Sequence, residues 1–253
     1  MKKITALVLI IILLFSVVCL QGCDGNGTDT TPLFAFKMSR FKPWLANTNA
    51  DEVVRMEMIN STAGVAPGTR ITCYYTDDTN IISAYLEYYA ELKVTLKLIP
   101  ELVGGGGTSK SVFTFADGSQ EILSNSPSGY SNGLIYLTPH TDISPELTYE
   151  GEMNKFYRFN SSESKAIKIY TCGENSELVG EADIKSSDLF FTEYAGEVSE
   201  DAVPTHYLET DFGKVYIYSD TLCYIDEVPT DEIQETIGFY ELYNGSFSDV
   251  IEN

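Results

Sequence analysis

Apolar and polar residues alternate in short runs along most of this chain. In Val53-Val54-Arg55-Met56-Glu57-Met58-Ile59, Arg55 and Glu57 interleave with Val54, Met56 and Met58, the two-residue period of a strand with one buried face. Residues 61–68 carry Gly64, Pro67 and Gly68 and predict a turn. Residues 70–75 then predict a second strand, antiparallel to the first. After Asp77-Asp78-Thr79 the period changes. Ile82, Tyr85, Leu86, Tyr89, Leu92 and Leu96 recur at three- and four-residue spacing along one face. This predicts the principal helix, capped by the acidic pair, whose charge suits the positive end of the helix dipole. Pro100 and the glycines 104–107 end the element; that glycine run follows a helix and lacks the Lys-Ser/Thr of a phosphate loop.

Val112-Phe113-Thr114-Phe115 and Gln120-Glu121-Ile122-Leu123 flank Asp117-Gly118, a strong hairpin signal. A loop is expected at 125–132, short strands at 134–137 and 156–159, and irregular chain at 139–151. The polar stretch Asn160-Ser161-Ser162-Glu163-Ser164-Lys165 is the clearest boundary. Beyond it, residues 167–170, the hairpin 206–218 around Asp211-Phe212-Gly213, and residues 239–243 repeat the earlier order of elements. Residues 178–194 look strand-like, and a short helix is expected at 230–237. The expected fold is α+β: mainly antiparallel sheet with one principal helix packed on it. Residues 34–160 form a strand-strand-helix-meander half and residues 161–253 a second, mostly β half. The parallel order suggests two related halves, although β-meanders share this grammar without common origin.

The start of the chain breaks the alternation. Lys2 and Lys3 precede an apolar run from residue 4 to 19, which ends in Leu20-Gln21-Gly22-Cys23. A run of this length can span a bilayer. The basic start, apolar centre and small residue before Cys23 describe a signal peptide instead. Leu20-Gln21-Gly22-Cys23 resembles the lipobox of bacterial lipoproteins. The resemblance implies removal of residues 1–22 and a lipid, diacylglyceryl, on the Cys23 thiol. It also implies an extracytoplasmic body anchored to the membrane through Cys23. Residues 23–33 then read as the lipidated cysteine and a flexible Gly/Thr/Asn/Asp linker. Asp24 resembles the inner-membrane retention signal of some Gram-negative lipoproteins, a signal without meaning in a Gram-positive host. The remainder resembles small bacterial surface lipoproteins only loosely, and that resemblance carries no activity.

Charge narrows the partners. Asp and Glu number 37 against 16 Lys and Arg, a formal charge of −21. Such a surface repels nucleic acid and anionic headgroups and leaves basic partners or simple solubility as its uses. With 43% hydrophobic residues the chain can bury a core, enough for one large domain or two small ones.

Chemistry is sparse. Five cysteines occur: Cys19 departs with the leader, Cys23 takes the lipid, and Cys73, Cys172 and Cys223 remain. At most one disulfide can form among three; Cys172 with Cys223 is the candidate pair, and buried, inert thiols are the alternative. Their spacing offers no zinc site. His140 and His206 stand in no hydrolase or metalloprotease motif, and carboxylate pairs mean little among so many acids. No catalytic, cofactor-binding or metal-binding residue is assigned. Trp44, in Lys42-Pro43-Trp44, either packs on the body or forms an exposed contact. Tyrosines gather at the first strand–helix junction (Tyr74, Tyr75, Tyr85, Tyr88, Tyr89) and in the second half (Tyr207, Tyr216, Tyr218, Tyr224). They suit half-buried strands or, if exposed, contacts to sugars and proteins. The expected function is a non-catalytic envelope module that binds a protein, peptide or glycan. The alternatives are a structural or assembly factor or inhibitor, and then an enzyme of unrecognised type.

Overall fold

The computed structural model describes residues 35–61, 68–97, 108–126, 129–131, 136–139, 152–160, 166–210, 212–226 and 238–252. The leader, Cys23 and the linker lie outside them, as do His140, the four glycines and the helix expected at 230–237. The chain runs β1 (Phe36–Lys37), α1 (Trp44–Asn47), β2 (Val53–Asn60), β3 (Arg70–Thr76), α2 (Thr79–Glu91), β4 (Lys93–Lys97), β5 (Ser109–Phe115) and β6 (Gln120–Ser126). It continues with β7 (Gly129–Ser131), β8 (Tyr136–Pro139), β9 (Asn154–Phe159), β10 (Ala166–Thr171), β11 (Leu178–Lys185) and β12 (Phe191–Glu193). The last elements are β13 (His206–Thr210), β14 (Gly213–Ile217), β15 (Leu222–Asp226), β16 (Gly238–Leu242) and α3 (Phe247–Glu252).

The fold is α+β. Its strands make one 16-stranded sheet in the order β1-β4-β8-β7-β6-β5-β2-β3-β9-β12-β16-β15-β14-β13-β10-β11. Every described pairing is antiparallel. The Asp-Gly hairpin forms as expected between β5 and β6, with Gly118 at φ 82°, a conformation a β-carbon would strain.

The principal helix, α2, starts where the sequence places it. Asp78 is the N-cap and accepts a hydrogen bond from the Asn80 amide at 2.8 Å. The helix buries Ile81, Ile82, Tyr85, Leu86 and Tyr89, each contributing roughly 1.5–3 kcal/mol of transfer free energy. It ends at Glu91, earlier than the apolar spacing suggests. Leu92 and Val94 are both fully buried, while Lys93 and Thr95, which follow them in turn, are half-exposed, so the period there is two and the chain continues as β4. Residue 129–131, expected to be loop, pairs as β7. Val54, expected to point inward, is 48% exposed, because the β2–β5 register shifts between Val53 and Arg55 and returns Val53 to the core in its place.

Two buried clusters hold the sheet. The first gathers Met38, Leu45, Met56, Phe113, Leu123 and Leu137 beneath α2. The second gathers Phe159, Phe191, Leu208, Val215, Ile225 and Phe247. Register places both on one face of the sheet. Met58 opposes Tyr74, Thr72 opposes Tyr157, Tyr157 opposes Phe191, and Phe191 opposes Leu242, all without a change of side. Trp44 packs against the first cluster, its ring 5.4 Å from Phe113, so it is a packing residue. Between β9 and β12 the ladder narrows to the single pair Tyr157–Phe191. Aromatic and arginine side chains fill both sides of this seam.

Candidate ligand-binding face

The face of the sheet turned away from both clusters is the one on which alternation leaves aromatic and charged side chains. At the seam, Phe156 of β9 stacks on Tyr243, just past β16, at 4.3 Å and 13°. Tyr75 of β3 and Phe190 complete the group, with centroids 5.2 Å from Tyr243 and 5.6 Å from Phe156. Arg55 lies over the Tyr75 and Tyr243 rings at 5.1 and 5.7 Å. The Tyr243 hydroxyl donates to Glu57 Oε1 at 2.7 Å and accepts from Arg55 Nη1 at 3.4 Å. Burial, and then Glu57, push the Tyr243 phenol well above its ordinary range. On the core side, Arg70 reaches Glu193 at 2.9 Å and Tyr240 at 3.3 Å and sits 4.4 Å over Tyr157. The seam is therefore tied on both faces by arginine–tyrosine–glutamate contacts.

Further along the same outer face, the strand register lines up one row of aromatic residues. Tyr170 of β10 opposes Tyr207 of β13, which opposes Tyr216 of β14. Tyr216 opposes Tyr224 of β15, and Tyr224 opposes Phe239 of β16. All five are half-buried, and their neighbours along each strand point into the second cluster. The row crosses five strands, about 19 Å at the usual spacing of about 4.8 Å. It is broken once. Tyr170 and Tyr207 stack at 4.8 Å and 7°, and Tyr216 leans on Tyr207 at 5.7 Å. Tyr224 leans the other way onto Phe239 at 4.9 Å, with Tyr218 against Phe239 at 5.3 Å. Among the described residues no ring contact joins Tyr216 to Tyr224.

Beside the aromatic row, two residues away on each strand, runs a row of charges. Glu181 opposes Lys168, Lys168 opposes Glu209, Glu209 opposes Lys214 and Lys214 opposes Asp226. Opposite charges facing across strands stabilise the sheet modestly. They also leave this strip close to neutral on a chain of charge −21. The two rows are coupled: the Tyr170 hydroxyl donates to Glu209 Oε2 at 3.1 Å and Lys214 Nζ lies 5.1 Å from the Tyr207 ring centre. Desolvation and that hydrogen bond raise the Tyr170 phenol.

The tyrosines named from sequence divide accordingly. Tyr85 and Tyr89 are core residues, Tyr74 and Tyr88 pack against the first cluster, and Tyr75 belongs to the seam. Tyr207, Tyr216, Tyr218 and Tyr224 share the outer face. Tyr170 and Phe239 complete the row and were not singled out from sequence. Alternation in Ile167-Lys168-Ile169-Tyr170 already places Lys168 and Tyr170 on the solvent side. That they meet Glu209 and Tyr207 depends on register.

The cysteines offer no chemistry here. The Cys172–Cys223 pair is not formed; Cys73, Cys172 and Cys223 are free. The reason is positional. Cys223 faces the second cluster with no exposure, whereas Cys172 follows Tyr170 by two residues on the outer face. A disulfide cannot reach through a sheet. Burial pushes the Cys73 thiol up to about 11 and raises Cys172 and Cys223 as well, which keeps all three protonated near neutrality. His206 Nδ1 lies 3.1 Å from Thr205 Oγ1. Among the described residues no cluster of His, Cys, Asp and Glu is arranged to hold a metal ion. No described helix is long and apolar enough to cross a membrane. At the far end of the outer face, a shallow cavity of about 200 Å³ is lined by Ile59, Asn60, Ser61, Thr108, Lys110 and Arg158.

No family model, curated protein or solved structure matches the chain.

Proposed function

We propose that this protein is a lipid-anchored, extracytoplasmic binding module that works without catalysis, tethered through Cys23 and engaging a ligand of the envelope with the outer face of its second half. The observation that carries this reading is the cross-strand row Tyr170–Tyr207–Tyr216–Tyr224–Phe239. Half-exposed tyrosines offer a wide amphipathic surface with few torsions to freeze, which is why they are enriched at binding surfaces. Here mutual stacking and the sheet backbone hold them in place before any ligand arrives, lowering the entropic cost of association. The lipobox-like Leu20-Gln21-Gly22-Cys23 supports the anchor, and the charge of −21 argues against nucleic acid as the ligand.

Two experiments test the reading. Metabolic labelling with a fatty-acid analogue marks the wild type and leaves Cys23→Ala unlabelled; equal labelling refutes the anchor. Wild-type protein captures an envelope component that Tyr207→Ser/Tyr216→Ser does not; capture indifferent to that double substitution removes the face from the account. A second reading, an envelope assembly factor or inhibitor, has one observation of its own. The terminal strand β11 carries Leu178 and Val179 at 54% and 52% exposure on an edge without a described partner strand.

A further inference from the structure

We infer that the break between Tyr216 and Tyr224 is a subsite for one sugar ring of a neutral, linear polysaccharide. This names the ligand class for the binding face proposed above and rests on that reading. The two tyrosines stand directly opposite each other on β14 and β15, yet each ring leans on its other neighbour, Tyr207 or Phe239. The sides they turn toward each other are left without an aromatic partner among the described residues. A pyranose has two faces of C–H bonds and a rim of hydroxyls, so it can present apolar surface to both rings at once.

The surroundings supply the rest of the chemistry. Lys214 and Asp226 oppose each other two residues away, one beside Tyr216 and the other beside Tyr224. They place a donor and an acceptor next to the gap and nearly cancel in charge, as hydroxyl recognition requires and as recognition of a charged polymer does not. On the other side lie Tyr218 and Leu222, joined by the Tyr218 amide to the Leu222 carbonyl at 2.9 Å. The chain's charge of −21 disfavours a polyanionic glycan at any site. The aromatic row is one residue wide and runs across the strands. Its width suits a linear chain better than a globular surface.

The test uses the full-length protein in detergent, run through native gels containing a soluble mixed-linkage β-glucan, arabinoxylan, glucomannan or polygalacturonate. At least one neutral polymer retards the wild type, and polygalacturonate does not. Tyr216→Ala and Tyr224→Ala each weaken the retardation at least tenfold, whereas Tyr170→Ala, at the end of the row, weakens it less than threefold. Should either alanine variant fail to fold, saturation-transfer NMR on the wild type decides instead: irradiating tyrosine ring protons transfers to sugar C–H protons. Absence of retardation by every neutral polymer, equal losses at Tyr170 and Tyr216, or preference for the polyanion overturns the inference. If the glycans fail while envelope capture still depends on Tyr207 and Tyr216, the ligand is a protein or peptide. The binding-module reading then stands and this inference falls.

Discussion

Phe156 and Tyr243 stack at 4.3 Å and 13°, and this contact joins the two parts of the sheet where its ladder is thinnest. β9 and β12 share only the Tyr157–Phe191 pair, so side chains take over from backbone hydrogen bonds at the seam. Tyr243→Phe keeps the stack and removes the hydroxyl that bridges Glu57 and Arg55, costing about 1–2 kcal/mol. Tyr243→Ala removes the stack as well, costing about 3 kcal/mol or more. Urea unfolding checks both. An unchanged midpoint for Tyr243→Ala contradicts the role given to the seam.

The helix is pinned to the sheet by a second buried contact. The Tyr89 hydroxyl and Ser111 Oγ are 2.6 Å apart, linking α2 to β5 inside the first cluster. Tyr89→Phe strips Ser111 of this partner while keeping the ring against Phe113 and Tyr130. A loss of about 1–3 kcal/mol is expected, as for other buried polar groups deprived of a partner. Ser111→Ala together with Tyr89→Phe recovers part of it. A double-mutant cycle with no coupling between the two positions contradicts the contact.

Thiol reactivity follows from how far each cysteine is exposed. Cys73 and Cys223 have no exposure and raised thiol pKa values, while Cys172 is half-exposed on the outer face. Iodoacetamide applied to the native full-length protein, with the modified peptides identified by mass spectrometry, labels Cys172 first. Cys73 and Cys223 react only after unfolding. Early labelling of Cys223 contradicts the core assignment.

Stability is expected to fall on the alkaline side. Burial raises the Tyr130 and Tyr243 phenols and the Cys73 thiol in the folded state. A raised folded pKa favours the protonated, folded form. The contribution is complete below the unfolded values, about 8.5 for Cys and about 10 for Tyr, and is lost as pH climbs through the folded values. Unfolding free energy should therefore hold near neutrality and decline above about pH 9–10. Tyrosinate absorbance should show a class of tyrosines, Tyr130 and Tyr243 among them, that ionises only with loss of structure. Titration of every tyrosine in one step near pH 10 contradicts the buried environment of Tyr130 and Tyr243.

Much of the fold was legible because local chemistry determined it. Asp78 caps α2 where the acidic pair ends, Asp117-Gly118 turns the β5–β6 hairpin, and alternation locates β2, β9, β10, β13 and β14. The end of α2 was misread because Leu92 and Leu96 fit the 3.6-residue period as well as the two-residue one. The buried Val94 between them decides for the strand. In β2, Met56 and Met58 face the core as alternation predicts, and only Val54 gives way to Val53, because a register shift leaves no local sequence mark. α3 buries Phe247 and Val250 and packs Ile251 beside them, too short a pattern to announce a helix. The aromatic row of the outer face was half legible. Individual strands place Tyr207, Tyr216 and Tyr224 opposite the core, but their alignment with Tyr170 and Phe239 comes from pairing between distant segments.

The claim on which the account turns is that the aromatic row meets a ligand in the envelope. Tyrosine nitration by tetranitromethane, on protein in intact cells and on the same protein purified in detergent, tests it most directly. Tyr207, Tyr216 and Tyr224 are expected to react in the purified protein and to be protected in cells, while Tyr194, half-exposed outside the row, reacts in both. Equal nitration of the row in both settings would contradict it.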